Sequence, residues 1–342
     1  MAYTTINKST DNFEAKMYTG NGGTQSITGL GFQPDLTWCK GRSVAEHHNL
    51  YDAVRGVTKP LYTNLNYGEG TVTDSLTAFN SDGFSIGANA YINTNSATFA
   101  SWNWKANGSS TVTNNNGATT SYVSHNSTSQ FSIIKYTGTG SATNIGHGLS
   151  GTPDCFITKG YSGATDWHLW NNSFTVNQRI KINSTGAISS NTSIFPTLPD
   201  ATKIYLGSGG DVNQSGIVYI CYAWKNVNGY SKFGSYIGNG NADGTFVYTG
   251  FKPAFVLIKV TSTTNDWEIH DNKRGSSNVI NAILQPNLNA AESTSGREID
   301  FLSNGFKLRN GSSQNNNSGS TFIYMAFGQS IVGSNNVPAT AR

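Results

Sequence analysis

Residues 16–40 read KMYTGNGGTQSITGLGFQPDLTWCK, and this stretch decides the fold because the chain contains it in three related forms. Residues 134–159 read IKYTGTGSATNIGHGLSGTPDCFITK, and residues 234–259 read GSYIGNGNADGTFVYTGFKPAFVLIK. Each form has Tyr-x-Gly-x-Gly, a short strand, a proline and an apolar strand that ends in lysine, which is the signature of an internal repeat. The matched residues are Tyr18, Tyr136 and Tyr236; Pro34, Pro153 and Pro253; and Lys40, Lys159 and Lys259.

Three further blocks follow each form in the same order. The second block is HNLYDAVRG at 48–56, WHLWNNSFT at 167–175 and WEIHDNKRG at 267–275. The third block is SDGFSIG at 81–87, TKIYLG at 202–207 and SNGFKLR at 303–309. The closing block is ATFASWNWK at 97–105, IVYICYAWK at 217–225 and STFIYMAFG at 320–328. Four blocks in one order predict three homologous units, at 13–106, 130–229 and 230–330.

The blocks predict strands. In the closing block of the first unit, Phe99, Ser101 and Asn103 fall on one face and the residues between them on the other, a period of two. The run FVLIKV at 255–260 is apolar throughout, as in a strand buried on both faces. Glycine pairs supply positive-φ turns. The sequence therefore predicts an all-β protein of three tandem antiparallel β-sandwich units, jelly-roll-like, with at most a helical turn at 279–284.

Composition excludes other classes. Only 12% of the 342 residues are charged and 12% are aromatic, whereas a disordered chain has the reverse balance. No apolar run approaches the roughly 20 residues of a membrane helix, so no membrane insertion is expected. The net charge is +3 and the basic residues are scattered, which argues against a nucleic-acid partner. The three cysteines are far apart and have no metal-ligand spacing, so no disulfide or metal site is expected.

Three segments lie outside the units. Residues 1–12 are predicted as an amino-terminal arm, 107–129 as a polar linker and 331–342 as a carboxy-terminal tail. Within the linker, TSYVS at 120–124 is a candidate edge strand. The opening residues contain no apolar core of a signal peptide, so none is expected.

Catalytic chemistry finds little support in the repeats. Asp52 and Asp271 match each other, but the middle unit has Asn171 at that place, and no pair of carboxylates recurs at a fixed spacing. The Tyr-x-Gly-x-Gly motifs precede strands rather than helices, so they predict turns and not phosphate loops. We therefore expect no catalytic residue, no cofactor and no metal, and predict that the protein is not an enzyme.

The second block holds the best candidates for ligand binding, because aromatic rings there stand beside polar groups, as in sugar sites. The alternative is that these are ordinary sheet residues around Leu50, Leu169 and Ile269, which face the core. The candidates are Tyr51, Asp52, Trp167, His168, Trp170, Trp267, His270, Asp271 and Arg274.

The pattern YTGNGGTQSITGLGFQPDLTWCK, followed by YDAVRG and SDGFSIG, resembles a repeat domain of uncharacterised function found in tail and other virion structural proteins of tailed bacteriophages, notably marine and cyanobacterial ones. The ending VGSNNVPATAR resembles its carboxy-terminal unit. The resemblance implies no catalytic residues. The middle unit departs from it by lacking the Arg-Gly found at Arg55 and Arg274.

The resemblance implies a structural virion protein, and the composition agrees with that expectation. We expect a tail fibre or host-recognition component that binds a cell-surface glycan. The expected partners are other virion proteins and other copies of itself, a homotrimer being favoured. A head decoration or head fibre protein that docks on the capsid is one alternative, and a tailspike-type glycan depolymerase is another. The expected location is the virion, after synthesis in the host cytoplasm.

Overall fold

The computed structural model describes residues 4–275, 277–294 and 296–329. This part of the chain holds 25 strands, two α-helices of four residues each and one 3-10 turn, and its paired strands run antiparallel. The all-β prediction is therefore confirmed. Within the same residues, no helix has the length and apolar character needed to span a membrane.

The division into three units remains a prediction; the corresponding segments are called stretch 1 (13–106), stretch 2 (130–229) and stretch 3 (230–330). After a 3-10 turn at Ser9–Asp11, stretch 1 comprises β1 Phe13–Thr19, β2 Gln25–Thr28, β3 Leu36–Gly41, β4 Asn49–Asp52, β5 Leu61–Tyr62, β6 Leu76–Asn80, β7 Gly83–Ile86, α1 Ala90–Asn93 and β8 Thr98–Trp104. Two strands follow it, β9 Val112–Asn114 and β10 Ser121–Asn126.

The remaining elements lie in stretches 2 and 3. Stretch 2 comprises β11 Phe131–Thr137, β12 Thr143–Gly146, β13 Cys155–Gly160, β14 His168–Asn171, β15 Gln178–Lys181, β16 Ser189–Ser190, β17 Lys203–Leu206, α2 Gly210–Asn213 and β18 Val218–Trp224. Stretch 3 comprises β19 Ser231–Ile237, β20 Phe246–Tyr248, β21 Lys252–Val260, β22 Glu268–Asp271, β23 Ile299–Leu302, β24 Gly305–Leu308 and β25 Thr321–Gln329.

Each stretch contributes one large sheet and one small sheet. The large sheets run β1-β8-β3-β4-β5, β16-β15-β14-β13-β18-β11-β10-β9 and β19-β25-β21-β22. The small sheets run β2-β7-β6, β12-β17 and β20-β24-β23. In all three large sheets the last long strand of the stretch lies between its first strand and the proline-entered strand, so the same four-strand order recurs.

The segment predicted as a linker takes part in the middle sheet. Strand β10 pairs with β11 from Ser121 opposite Tyr136 to Asn126 opposite Phe131, and β9 pairs with β10. The strand predicted at 120–124 is thus confirmed as β10, but its predicted edge position is wrong, because β9 pairs with its other side. Of the predicted arm, residues 4–12 are described, and the Ser9 amide donates to Gln329 Oε1 at 2.7 Å. The predicted tail at 331–342 lies outside the described residues.

Both faces of the large sheets are covered. In stretch 1 a core of Tyr18, Cys39 and Phe99 packs against Ile27 and Phe84 of the small sheet, which makes a sandwich. The opposite face of the large sheets belongs to a central core that joins residues from all three stretches. This is why β3 and β13 are buried at every position, and β8 and β18 at every position after the first. Residues 255–260 of β21 are buried throughout, as their apolar run predicts.

The two glycines of Tyr-x-Gly-x-Gly do different work. Gly22 has a φ of 67°, which favours glycine, so the second glycine makes the turn. A Cβ on Gly20 would lie 2.2 Å from the carbonyl oxygen of Thr94, so the first glycine permits a close approach of two backbones. The Tyr18 hydroxyl donates to the carbonyl of Ile92 at 2.8 Å and fixes the same junction. The predicted turn is confirmed.

Residues 279–284 do not form the helical turn that the sequence allowed there. Ile280 bridges Ile299, Ile283 bridges Ser293 and Leu284 bridges Ile269. Ile280 and Leu284 thus pair with residues of β23 and β22, which satisfies buried backbone donors and acceptors there.

Candidate functional site

The nine residues predicted to bind a ligand all lie in the interior. None has more than 8% of its surface exposed. Six of the nine are fully buried: Tyr51, Asp52, Trp167, His168, His270 and Asp271. A sugar ring stacks on an open aromatic face, and these rings are covered by protein. A ligand-binding role for the nine stays a prediction, whereas their contacts show what they do in the folded chain.

Asp52 sits in a buried ion pair that links two stretches. Arg55 Nε lies 2.6 Å from Asp52 Oδ2, and both side chains are almost fully buried. The Tyr222 hydroxyl, from stretch 2, donates to the same oxygen at 2.7 Å. Arg55 also contacts Glu69 at 3.0 Å, which supplies a second negative charge. The carboxylate therefore holds stretch 2 against stretch 1.

Asp271 has the equivalent surroundings in stretch 3. Arg274 Nε lies 2.5 Å from Asp271 Oδ2, and Trp102 Nε1, from stretch 1, donates to that oxygen at 2.9 Å. Burial acts to raise the pKa of Asp271, but the charge and hydrogen bonds of Arg274 outweigh it and hold that pKa below its ordinary value. Asp271 is thus a buried carboxylate that stays ionised.

The middle stretch lacks this arrangement altogether. Asn171 takes the place of the aspartate and Phe174 that of the arginine, and both are buried. Asn171 lines a small cavity together with Met325 of stretch 3, a residue that has no donor to offer. The aspartate, the arginine and the donor from the neighbouring stretch are therefore present together twice and absent together once.

Two of the three tryptophans of the second block, Trp167 and Trp267, also contact the neighbouring stretch. Trp167 Nε1 donates to the carbonyl oxygen of Tyr62 at 2.9 Å, and Trp267 Nε1 donates to that of Lys181 at 3.0 Å. Trp170 stacks on Phe156 of the same sheet, with ring centroids 5.3 Å apart. These rings pack in the core and leave no open face.

His168 belongs to the one cluster in the described part of the chain whose ligand atoms are close enough together to hold a metal ion. Its members are Asp166, His168 and Asp211. His168 Nε2 lies 3.1 Å from Asp211 Oδ2, and this hydrogen bond is the main reason that the pKa of Asp211 falls to about 2. Burial lowers the pKa of His168, so the ring is neutral at pH 7.

The carboxylate oxygens of this cluster, which a metal ion would need as ligands, already accept hydrogen bonds from the protein. Asp166 accepts hydrogen bonds from Lys181 and from Asn183, and Asp211 Oδ1 accepts one from the amide of Asp166 at 3.1 Å. A metal ion would have to displace the Lys181 ammonium group. The cluster is therefore built as a hydrogen-bonded ion pair network, and sequence reasoning missed it because the acids lie 45 residues apart (211 − 166).

His270 lies in a comparable network in stretch 3. Its Nε2 is 3.3 Å from Glu268 Oε2, and Glu268 Oε1 pairs with Arg297 at 3.2 Å. Both Glu268 and His270 are fully buried. Sequence analysis names His270 but misses Glu268, since Asn49 and His168 stand at the place of Glu268 in the other two stretches.

Three buried lysines end the proline-entered strands. Burial lowers the pKa of Lys40 to about 8, that of Lys159 to about 7 and that of Lys259 to about 8.

The three cysteines are free and buried, and burial raises the pKa of Cys39 and Cys221 to about 12. They are therefore inert thiols in the folded chain.

The fold and these contacts together define an all-β protein in which buried Asp–Arg pairs connect sheets in the interior. The chain belongs to a family defined by a domain of unknown function, DUF7483, whose family model matches residues 8–330. No curated protein matches the chain. No solved structure matches it either.

Proposed function

We propose that the protein is a structural component of a tailed-phage particle, a tail fibre or host-recognition protein rather than an enzyme. The observation that carries the proposal is the use of the conspicuous charged and aromatic residues: Asp52, Asp271, Arg274 and their partners hold sheets together in the interior. The resemblance of the repeated motifs to virion proteins supports the same assignment.

Durability outside a cell is what such a protein needs, and the fold supplies a means to it. The three thiols are unpaired and buried, so the fold depends on no disulfide among them. The fold is instead stabilised by the burial of both faces of its long strands and by buried ion pairs at the contacts between stretches.

Glycan recognition, within this proposal, belongs to exposed rings and not to the nine buried residues. Phe246 and Tyr248 lie two residues apart on β20, the edge strand of a small sheet, so they face the same side. They are 43% and 54% exposed, and Val247 between them is buried. The Lys232 ammonium lies 5.2 Å from the Tyr248 ring centroid and adds a donor beside it.

The proposal is tested by locating the protein on particles of the phage that encodes it and by measuring binding of the purified chain to host cells. We expect antibody label on tails and cell binding that falls at least fivefold in Phe246→Ala/Tyr248→Ala. The matched control is Tyr67→Ala, a ring 60% exposed elsewhere on the surface.

Other outcomes decide against the tail assignment. Label on heads, with binding to empty capsids, would identify a decoration protein. Release of reducing sugar from host polysaccharide that depends on one carboxylate would identify a depolymerase. Particles without the protein would refute the virion assignment itself.

A further inference from the structure

Three equivalent lysines each donate to a neighbouring stretch. Each ammonium group reaches a backbone carbonyl oxygen in a loop of another stretch. The pairs are Lys40 with Asn289 (3.4 Å), Lys159 with Asn66 (3.0 Å) and Lys259 with Thr185 (3.1 Å). Stretch 1 thus contacts stretch 3, stretch 3 contacts stretch 2, and stretch 2 contacts stretch 1.

A second set of hydrogen bonds repeats this cycle at fixed offsets. In each case the donor is the backbone amide of the residue three positions after the one whose carbonyl accepts from the lysine. The acceptor is the backbone carbonyl oxygen of the residue two positions after the lysine. The pairs are Glu292 with Arg42 (2.8 Å), Glu69 with Tyr161 (2.7 Å) and Ile188 with Thr261 (2.9 Å). Identical offsets at three places mean that the three interfaces have the same geometry.

Closure is explicit at the interface between stretches 3 and 1, which are furthest apart in sequence. Arg42 makes two hydrogen bonds to Glu292, at 2.8 and 2.9 Å, and Thr63 Oγ1 donates to the carbonyl of Pro286 at 2.9 Å. Lys273 lies 3.6 Å from Glu14 on the same interface. The last stretch therefore returns to the first.

The centre of the molecule shows the same symmetry. One ring from the closing block of each stretch, Trp104, Trp224 and Phe327, lies in the central core. The centroid distances are 6.4 Å, 5.6 Å and 6.5 Å, so the three rings form a nearly equilateral triangle. Such a triangle is what an approximate threefold axis produces.

We propose that the three stretches form a closed ring with approximate threefold symmetry inside one chain. Each stretch then covers, with its two neighbours in the same chain, the surface through which three separate copies would otherwise assemble. The homotrimer favoured from sequence would need a different surface, and the isolated chain is a monomer.

The Asp–Arg–donor contact gives this proposal a specific prediction. It occurs at two interfaces, as Asp52 with Tyr222 and as Asp271 with Trp102, and the third has Asn171 near Met325. If the interfaces are equivalent, the whole contact can be transferred to the third. Transfer needs Asn171→Asp, Phe174→Arg and Met325→Tyr together, because each alone leaves a buried polar or charged group without its partner.

The test measures denaturant unfolding of the full chain carrying Asn171→Asp alone and in the triple variant, with sedimentation mass for each. We expect the single variant to lower the folding constant at least tenfold, and the triple variant to recover most of that loss as a 36.6 kDa monomer. A triple variant no more stable than Asn171→Asp alone would overturn the equivalence of the interfaces, and a stable trimer of the unaltered chain would overturn the self-contained ring.

A second measurement covers the case in which the single variant does not fold. The cycle Asp52→Asn, Tyr222→Phe and the double variant probes an existing interface, and we expect the two losses to be coupled rather than additive. Additive losses would contradict contact between stretches 1 and 2.

Discussion

At the scale of single residues, the buried carboxylates decide the stability of the fold. Asp271→Asn removes the nearer of two carboxylates that pair with Arg274, whose side chain is 0% exposed; the other is Glu292, at 3.2 Å. We expect a loss of about 3 kcal/mol in the free energy of unfolding, since the buried guanidinium group loses its closest partner. Urea denaturation measures the loss. The control is Asp11→Asn in the exposed pair with Lys8, which we expect to change stability by less than about 0.5 kcal/mol.

Lys159 makes the stability depend on pH. Its folded pKa of about 7 lies below the ordinary value of 10.5, so between these values the unfolded chain binds more protons than the folded one. Stability should therefore rise with pH from about 7 towards 10, by at most about 1.4 kcal/mol per pH unit for this group.

The matched variant for Lys159 is Lys159→Met, which keeps an unbranched side chain of similar bulk without the charge. We expect unfolding curves recorded from pH 7 to 10 to rise less steeply for the variant than for the unaltered chain. Equal slopes would show that Lys159 stays protonated in the fold.

At the scale of elements, the tyrosine-glycine turn carries a steric prediction. In Gly20→Ala the new Cβ would lie 2.2 Å from the Thr94 carbonyl oxygen, so the backbone of β1 or α1 must shift. Overpacking of this kind costs about 1–3 kcal/mol. The denaturation midpoint reports it, and Gly70→Ala, with no atom within 4 Å of its Cβ, serves as control. Equal midpoints for the two variants would refute the close approach.

Strands could be predicted from sequence where local pattern and burial agree. The alternation in β8 assigns Phe99 to the sandwich core and Trp102 and Trp104 to the other face, as observed. The bridges at 280–284 could not be predicted, because a short apolar run has no period that separates strand from helix. The burial of Asp52 was equally hidden, because its partner Tyr222 lies 170 residues away.

The departure of stretch 2 from the other two stretches carried information that the local sequence pattern alone could not supply. Arg55 and Arg274 have no counterpart in stretch 2, where Phe174 stands. Taken alone, that loss weakens a shared role for the arginines. Taken with Asn171 and Met325, it marks one contact that is lost as a whole, and only three-dimensional proximity shows that these positions belong together.

At the scale of the whole molecule, complete burial predicts how the thiols behave. Cys39, Cys155 and Cys221 should not react with a thiol reagent in the folded chain and should all react in denaturant. Counting labelled thiols by mass spectrometry checks this. A thiol that reacts quickly under native conditions would show that the central sheets open.

The closed ring within one chain is tested most directly by cross-linking Glu14 to Lys273, whose side chains lie 3.6 Å apart across the interface of stretches 3 and 1. Chains labelled with ¹⁴N and ¹⁵N are unfolded together, refolded and treated with a carbodiimide. Lys273→Arg is the control that abolishes the link. We predict cross-linked peptides in which both halves carry the same isotope, from a 36.6 kDa species. Peptides that combine the two isotopes would contradict the ring, because they would place the interface between separate chains.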